Sequence, residues 1–528
     1  MSLFVLGKKV SPAELVKELG EVFPIEVRRE SKQRVTYCDT FDWRLEKAGL
    51  SLTTSRIGRQ VRVILTTADG RVLDSMAPRA PQFASDLTPS PLPDILEPVA
   101  KNRRLLPRAR GEWNGTFISM VNPDGKAVGR LRIRVGTALL PNGEGEKALP
   151  PRIEFLPLKG YAAEEKRVTA FLKERFRVKR EERSEQGVVY EATDLSPGDY
   201  SSSLQLSLDA ESSAAVATRQ IHLGLLQIIE ANREGLTRDW DAEFLHDFRT
   251  AVRRTRSALT QIPDVFPPTV TDHFKKEFRW VGSKTGPARD IDVYLLKIPA
   301  YRAALYPAAR KDLEPLVELL KEKKKAELSR LRRSVHSKRF KSLLEDWRVF
   351  LESPDTQDST PPEAGRPIIE VASARIWNAF TKVQKRGKGI GQFSPAEDLH
   401  KLRLDCKKLR YLLRFFQSLY PADALEPVIR EIKNLQDHLG DYNDLQVQRD
   451  ALKRFAEEIM ESKAAPPATL LAMGQLMGQL EGKQHKEREL FHDRFSRFSR
   501  QQNVKRFRRL FGATAKPANR PPKKGKDR

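Results

Sequence analysis

The sequence predicts an α+β N-terminal domain, built on an antiparallel sheet or barrel, followed by an all-α region. Three observations support this fold class. In the first 195 residues, short alternating apolar and polar runs end at turn signals. Beyond residue 214, charged and apolar residues fall on separate helical faces, and one helical segment occurs twice. With 528 residues, 39% of them hydrophobic, the chain is long enough for two or more domains with their own cores.

The N-terminal domain is predicted at residues 1–195. Arg59–Thr66 and Leu131–Val135 alternate as half-buried strands do. Ser11 can cap a helix that has Pro12 at its first position, and a second helix is expected at 162–177. Strands followed by helices in this way indicate an antiparallel sheet with helices packed on it.

The all-α region contains an internal duplication. His246–Arg256 is matched by His400–Arg410, which lies 154 residues later, and the same offset pairs Asp290 with Asp444. A register that holds without a gap over some fifty positions is a repeat. We therefore expect the helices of this region to occur in two corresponding sets.

Each copy of the repeated segment carries a basic stripe. Wound as an α-helix, the first copy brings four basic side chains within about 80° of one another: His246, Arg249, Arg253 and Arg256. The second copy forms the same stripe with His400, Arg403, Lys407, Arg410 and Arg414. Like charges on one helical face repel each other. A charge run is often only a solvated face, but such a face need not be repeated in register, so we predict anion binding.

Composition narrows the ligand class but does not select one ligand. A net charge of +25 and a pI near 9.9 predict attraction to a polyanion, and nucleic acid, an acidic membrane surface and polyphosphate all remain open. The two cysteines, Cys38 and Cys406, cannot build a disulfide framework and favour a reducing compartment. The N-terminal apolar run is too short for a signal peptide, and no stretch is long enough to cross a bilayer. We expect a cytoplasmic protein.

The duplicated pattern His-x-x-Arg-x-x-x-basic-basic-x-Arg resembles the CHAD domain, the conserved histidine α-helical domain. The resemblance runs from about Glu211 to Phe498 and includes Gly286–Asp290 and Gly440–Asp444, which match the family's turn between two helices. It implies two pseudo-symmetric four-helix bundles, at 214–350 and 367–498, that bind inorganic polyphosphate through their basic helices. Asp405, an acid inside the second basic helix, is expected to face away from the stripe.

The resemblance also implies further basic residues on the helix that follows each stripe. The full predicted polyphosphate site is His246, Arg249, Arg253, Arg256, Lys276, Arg279, His400, Arg403, Lys407, Arg410, Arg414, Arg430 and Lys433. No zinc-type cysteine pair, phosphate-binding Gly-rich loop or His-Glu-x-x-His motif accompanies them, so no metal, cofactor or catalytic residue is predicted.

The N-terminal domain has a weaker resemblance, to the CYTH or triphosphate-tunnel family, at Tyr37–Leu50 and Arg152–Gly160. That family holds a divalent metal and a phosphate with a Glu-x-Glu-x-Lys strand. Here the corresponding strand reads Glu26-Val-Arg28-Arg-Glu30, which leaves one carboxylate beside an arginine. We therefore interpret the N-terminal domain as a degenerate CYTH-like domain without catalytic activity. Arg62, Arg132, Arg134 and Lys159 either line a phosphate tunnel or point outward from ordinary strands.

The remaining segments are predicted as connections and a tail. Residues 196–213 and 351–366 are linkers, and 499–528 is a basic tail, disordered at its end, that could attract nucleic acid. The last helix of the first bundle, expected at Glu314–Phe350, carries a solvated lysine triplet at 323–325 and a basic run at 330–339 that could form the rim of the anion site.

The predicted function is polyphosphate binding without catalysis, with an association with polyphosphate granules left open. A triphosphatase acting through the N-terminal domain and a general nucleic-acid-binding protein are the alternatives. The oligomeric state is not predicted.

Overall fold

The computed structural model describes residues 2–7, 11–140, 145–156, 158–353, 361–461 and 466–512. The chain divides into two compact units, Met1–Ser201 and Ser202–Arg528. The first is an antiparallel sheet domain and the second is all-helical, which confirms the predicted fold class. Within the described ranges, no helix is long and apolar enough to span a bilayer.

The described part of the first unit contains an eleven-stranded sheet. Its strands are β1 Ser2–Val5, β2 Ile25–Arg29, β3 Gln33–Asp39, β4 Ser51–Ile57, β5 Gln60–Thr66, β6 Val72–Ala77, β7 Leu106–Val121, β8 Ala127–Leu139, β9 Glu146–Ala148, β10 Arg152–Leu156 and β11 Lys179–Arg180. The order is β11-β1-β10-β8-β7-β3-β4-β5-β6, with β2 also paired to β7 and β9 to β8. All of these pairs are antiparallel, as the alternating runs predict.

Helices cover both faces of this sheet. They are α1 Pro12–Val22, α2 Arg44–Lys47, α3 Leu92–Ala100, α4 Ala162–Phe176 and α5 Glu185–Ala192. The side chain of Ser11 accepts a hydrogen bond from the Glu14 amide at 3.1 Å and so caps α1. Leu131 and Ile133 of β8 pack in one core with α1 and α4. Successive strand residues point to opposite faces, so Arg132 and Arg134 lie on the face that α5 covers.

The second unit shows the repeat as paired helices. They are α6 Ala214–Arg238, α7 Ala242–Gln261, α8 Pro268–Ala304, α9 Glu314–His336, α10 Lys338–Glu352, α11 Ile368–Lys388, α12 Ala396–Phe415, α13 Ala422–Glu461, α14 Pro467–Glu489, α15 Phe491–Phe498 and α16 Gln501–Phe511. The basic helices α7 and α12 begin and end 154 residues apart. The helices α8 and α13 also begin at that offset.

The predicted turns at Gly286–Asp290 and Gly440–Asp444 are wrong. Both segments lie inside continuous helices, α8 with 37 residues and α13 with 40. At Gly286 a Cβ atom would lie 3.4 Å from Nη1 of Arg249, an ordinary contact with the end of a flexible side chain. Because α8 and α13 do not turn back, their second halves continue away from the basic helices and pack together, with Ile291 and Tyr294 in the same core as Leu452 and Ile459.

The helix expected at Glu314–Phe350 is two helices, α9 and α10. They are separated at Ser337, whose backbone is extended and whose hydroxyl accepts a hydrogen bond from the Phe340 amide at 3.2 Å. This N-cap makes the break, because serine hydroxyls satisfy the free amides of a helix start.

The predicted start of the basic tail, at residue 499, is wrong. Residues 501–511 form α16, and Phe507 stacks on Phe380 of α11 with ring centroids 3.8 Å apart. Phe507 and Phe511 are buried one helical turn apart, and the four basic residues around them obscured this apolar stripe in the sequence. The tail's predicted disordered end, 521–526, and positions 354–360 of the predicted linker lie outside the described residues.

Candidate anion-binding groove

The two basic helices contact each other. Nε of Arg253 on α7 donates a hydrogen bond to the Tyr411 hydroxyl on α12 at 2.8 Å. Burial, together with the neighbouring charges of Arg403 and Arg253, lowers the pKa of Lys407 to about 8. Burial also lowers the pKa of Arg410, with Arg253 again among the like charges nearby. The basic stripes of the two copies therefore meet, with Arg253 at the junction. We call the surface formed at this junction by Arg249, Arg253, Arg403, Lys407 and Arg410 the basic groove.

In the first copy, the side chain of Arg249 on α7 contacts α8. Its Nη1 donates to the Gly282 carbonyl and to the Thr285 hydroxyl, both at 2.9 Å. Burial lowers the pKa of this guanidinium, and Arg253 and Arg289 act in the same direction. A guanidinium carries five N–H groups, so three donors of Arg249 are not used in these two hydrogen bonds.

His246 has a partner that the sequence did not indicate. Nη2 of Arg289 lies 2.9 Å from Nδ1 of His246. Burial lowers the pKa of His246, and the Arg289 charge lowers it further. In the second copy, Nδ1 of His400 lies 2.7 Å from Oδ1 of Asn443, which is the residue equivalent to Arg289 in the repeat. In each copy, the histidine of the stripe is thus held by a residue of the long helix that follows it.

The second stripe is the more exposed of the two. Arg403 approaches Asp444, with Nη2 3.2 Å from Oδ1, and Nη1 of Arg414 donates to Gln417 at 3.2 Å. Nε of Arg403 is buried without a hydrogen-bond partner among the described residues. Asp405 faces away from the stripe, as expected, and accepts a hydrogen bond from Nε of Arg386 at 2.7 Å. The acid therefore does not neutralise the groove.

A cavity of about 810 Å³ adjoins the first stripe and draws on both halves of the repeat. Its histidine and charged lining residues are His246, Arg249, Arg253, Arg289, Asp290, Lys297, Lys323, Glu327, Arg330, Asp444, Arg454 and Glu458. Two of its cations are paired within it, Lys323 with Glu458 at 2.6 Å and Arg330 with Glu327. Of the basic run at 330–339 that was predicted to form the rim, only Arg330 is among the cavity-lining residues. Lys323, which belongs to the lysine triplet predicted to be solvated, also lines the cavity.

The other predicted residues lie outside this cavity. Arg256 lies beside Arg279, whose charge lowers the pKa of Arg256 in addition to burial. Lys276, Arg430 and Lys433 are exposed on α8 and α13 and are not part of the described cavity lining. Sequence analysis missed Arg289, Lys297 and Arg454. Of these, only Arg289 had a signal, since it falls within the segment Gly286–Asp290.

In the N-terminal domain, carboxylates of the chain itself pair with the candidate tunnel residues. Glu30 accepts a hydrogen bond from Nε of Arg132 at 2.9 Å, Glu185 of α5 pairs with Arg134, and Asp74 pairs with Arg62. Glu185 also accepts a hydrogen bond from the Tyr37 hydroxyl at 2.7 Å, and burial raises the pKa of that phenol. Lys159 is exposed. No group of three His, Cys, Asp or Glu side chains that could hold a metal ion occurs in the described ranges.

The sequence model of the CHAD domain matches residues 220–453. An uncharacterised protein of Mycobacterium tuberculosis is 26% identical over 211 residues, and the chain covers 39% of that relative's length. Among solved structures, the chain is similar to the CHAD domain from the plant Ricinus communis, with 24% identity, a TM-score of 0.46, and coverage of 55% of this chain and 95% of that one.

Two other solved structures are similar to parts of the chain. PptA from Streptomyces chartreusis is 16% identical with a TM-score of 0.41 and covers 54% of this chain and 99% of its own. A putative adenylate cyclase from Vibrio parahaemolyticus is 14% identical with a TM-score of 0.22. The match covers 36% of this chain and 98% of the cyclase chain. The segment that matches the CHAD-domain model, residues 220–453, contains both basic helices.

Proposed function

We propose that this protein binds inorganic polyphosphate in the basic groove between α7 and α12. The observation that carries the proposal is the approach of Arg253 on α7 to Lys407 and Arg410 on α12. Burial and the neighbouring cations lower the pKa of Lys407 and of Arg410. Such a cluster destabilises the fold when it is empty and gains most from an anion that supplies several negative charges. Polyphosphate, with one charge or more on every unit, has that property.

The side chains of the groove suit phosphate oxygens. Arginine presents a planar fork that can bind two oxygens at once, while lysine acts as a mobile point charge. A neutral His246 that accepts at Nδ1 has its proton on Nε2 and can donate it. The arginines can thus bind two phosphate oxygens at once, the lysine supplies a positive charge, and His246 supplies a single donor.

Nucleic acid is the main alternative polyanion. Proteins that bind single strands usually stack bases on exposed aromatic rings. On the basic helices, Phe248 and Tyr411 lie beside the stripes; both are buried, and the Tyr411 hydroxyl accepts a hydrogen bond from Arg253. Tyr294 and Phe455 line the adjoining cavity but pack into the core shared by α8 and α13. This favours a ligand without bases.

We further propose that the N-terminal domain does not hydrolyse triphosphates. Arg28 stands where the CYTH pattern has its second glutamate, and Glu30, at the position of the lysine, is paired with Arg132. A metal-assisted mechanism requires a cluster of hard oxygen ligands, which a single remaining glutamate at this strand cannot supply. A polyphosphate binder of this kind would be recruited to polyphosphate granules.

The experiment that tests the main proposal is retention of the full-length protein on immobilised long-chain polyphosphate, with RNA as competitor. We expect polyphosphate to elute the protein at a much lower phosphate concentration than RNA does. We also expect affinity to fall steeply with salt, because each bound phosphate releases counterions. Equal competition by RNA would overturn polyphosphate as the preferred ligand.

A further inference from the structure

Among the described residues, the two halves of the repeat differ at the end of the second half. In the first half, α10 runs from Lys338 to Glu352 without interruption. In the second half, the corresponding segment stops at Phe498 and restarts at Gln501. The break creates an additional helix start, and amide groups in the first turn of a helix have no acceptor within that helix.

A polar cavity of about 320 Å³ lies at this break, between α13 and α16. It is lined by Glu431, Asn434, Arg497, Arg500, Gln502, Asn503 and Arg506. Three of these seven residues are arginines, and all seven have polar side chains. The positive end of the 11-residue helix α16 adds to the three cations. Helix starts with arginines beside them favour an anion of phosphate size.

Asn503 supplies an independent sign of a ligand. Its side chain is buried, with 3% of the residue exposed, and its Nδ2 donates to the Phe498 carbonyl at 2.7 Å. That contact satisfies the end of α15 and fixes the orientation of the amide. Oδ1 of Asn503 has no partner among the described residues. A buried acceptor without a donor destabilises the fold, and a donor on a bound group would offset that cost.

Glu431 makes the chemistry of the cavity more specific. A carboxylate and an amide oxygen are both acceptors, and neither would attract a fully deprotonated anion. A terminal phosphate group has a second pKa of about 6 and keeps a proton over part of the neutral range, so it can donate to an acceptor while its other oxygens accept from arginines. Sulfate and internal phosphate units carry no such proton.

We propose that the cavity between α13 and α16 binds a phosphate group that retains a proton, either free orthophosphate or the end of a phosphate chain. Arg497, Arg500 and Arg506 hold the oxygens, and Glu431 and Asn503 accept the proton of the bound group. None of these five residues lines the larger cavity or belongs to either basic stripe. The site therefore does not depend on the function proposed for the basic groove.

The test is calorimetric titration of the full-length protein at pH 6 with inorganic phosphate and, separately, sulfate. We expect phosphate to bind at least tenfold more tightly than sulfate. The double change Arg500→Gln and Arg506→Gln should abolish the phosphate signal, whereas the matched pair Arg508→Gln and Arg509→Gln, exposed on the same helix, should leave it unchanged. Thermal unfolding of both double variants checks that each is folded.

Glu431→Gln tests the proton-bearing group directly. It replaces one of the two acceptors with a donor, so it should clearly reduce the preference for phosphate over sulfate. Linear tripolyphosphate and cyclic trimetaphosphate separate the two sources, because only the linear compound has chain ends. If the affinity lost on changing Arg500 and Arg506 is the same for both compounds, chain ends are not recognised and free phosphate is the ligand. Equal binding of phosphate and sulfate by the unchanged protein, or equal loss in the two double variants, would overturn the proposal.

Discussion

Arg289 and His246 form a donor–acceptor pair, with Nη2 of the arginine 2.9 Å from Nδ1 of the histidine. A guanidinium can only donate, so Nδ1 accepts and the imidazole proton is on Nε2. The same position of the second copy has Asn443 beside His400. Both histidines are oriented by the helix that follows them, and in the first copy the orienting residue is itself a cation that lines the cavity.

Removing charge from the basic groove should weaken polyphosphate binding at least tenfold. The change is Arg249→Gln, Arg253→Gln, Arg403→Gln and Lys407→Gln together. A charge-assisted hydrogen bond contributes about 1.5–3 kcal/mol in isolation, and even a fraction of that at each of four positions exceeds the roughly 1.4 kcal/mol of a tenfold loss. Filter binding with labelled polyphosphate measures the affinity, and the salt dependence should become shallower.

The matched control replaces four exposed cations of the helical unit that lie outside the groove: Arg310, Lys311, Lys321 and Lys325, all changed to Gln. It removes the same net charge. If this control loses as much affinity as the groove variant, diffuse attraction rather than the groove accounts for binding. A truncation after Gly512, which removes the basic residues of 513–528, should likewise have a smaller effect than the groove variant.

The affinity for polyphosphate should fall as the pH rises through about 8. Burial and the nearby Arg403 and Arg253 lower the pKa of Lys407 to about 8, so this lysine loses its charge at mildly alkaline pH in the free protein. Bound polyanion favours the charged form, and affinity therefore decreases where that form is lost. Lys407→Arg should remove the decrease between pH 7 and 9. An unchanged pH profile in that variant would contradict the assignment.

The effect of Lys407 on stability should have the opposite pH dependence to its effect on affinity. Its pKa in the folded protein is below that of the unfolded chain, so the unfolded state binds more protons between about 8 and 10.5. The contribution of Lys407 to the free energy of unfolding should therefore increase as the pH rises through that window. Denaturant titrations of the unchanged protein and Lys407→Gln, which has no proton to lose there, should converge toward the alkaline end.

No metal-dependent release of phosphate is expected from the N-terminal domain. Purified protein with magnesium or manganese should release no more phosphate from tripolyphosphate or nucleoside triphosphates than a boiled sample does, because Arg28 and the paired Glu30 leave Glu26 alone. Turnover that disappears in Glu26→Gln would show that the domain is an enzyme. Phosphate release is followed colorimetrically.

The helix α16 should be required for the stability of the second half. Phe507 is fully buried against Phe380, and replacing a buried phenylalanine by alanine costs about 3–5 kcal/mol. Phe507→Ala should therefore unfold at clearly lower denaturant concentration. Lys505→Ala, an exposed change on the same helix, should stay within about 0.5 kcal/mol of the unchanged protein. Similar midpoints for both would mean that residues 501–511 are a tail after all.

The features that local pattern determines were predictable from the sequence. Repetition and helical spacing gave α7 and α12 and brought Arg253 and Lys407 into the predicted site. Features that depend on a partner elsewhere in the fold were not. A glycine is typical of turns but also occurs inside helices, so Gly286 was interpreted as a turn although it lies within α8. Lys297 and Arg454 are brought to the cavity by the packing of α8 and α13, which no local pattern records.

The shared core of α8 and α13 has a consequence for the origin of the duplication. Ile291 and Tyr294 from one copy pack in a single cluster with Leu452 and Ile459 from the other. A chain that contained one copy alone would expose this apolar surface and could cover it only by pairing with a second molecule. Joining two copies in one polypeptide turns that association into an intramolecular one, with an effective concentration in the millimolar range for a short connection. The halves are therefore no longer separable folding units, and a cut between them should yield fragments that must recombine to be stable.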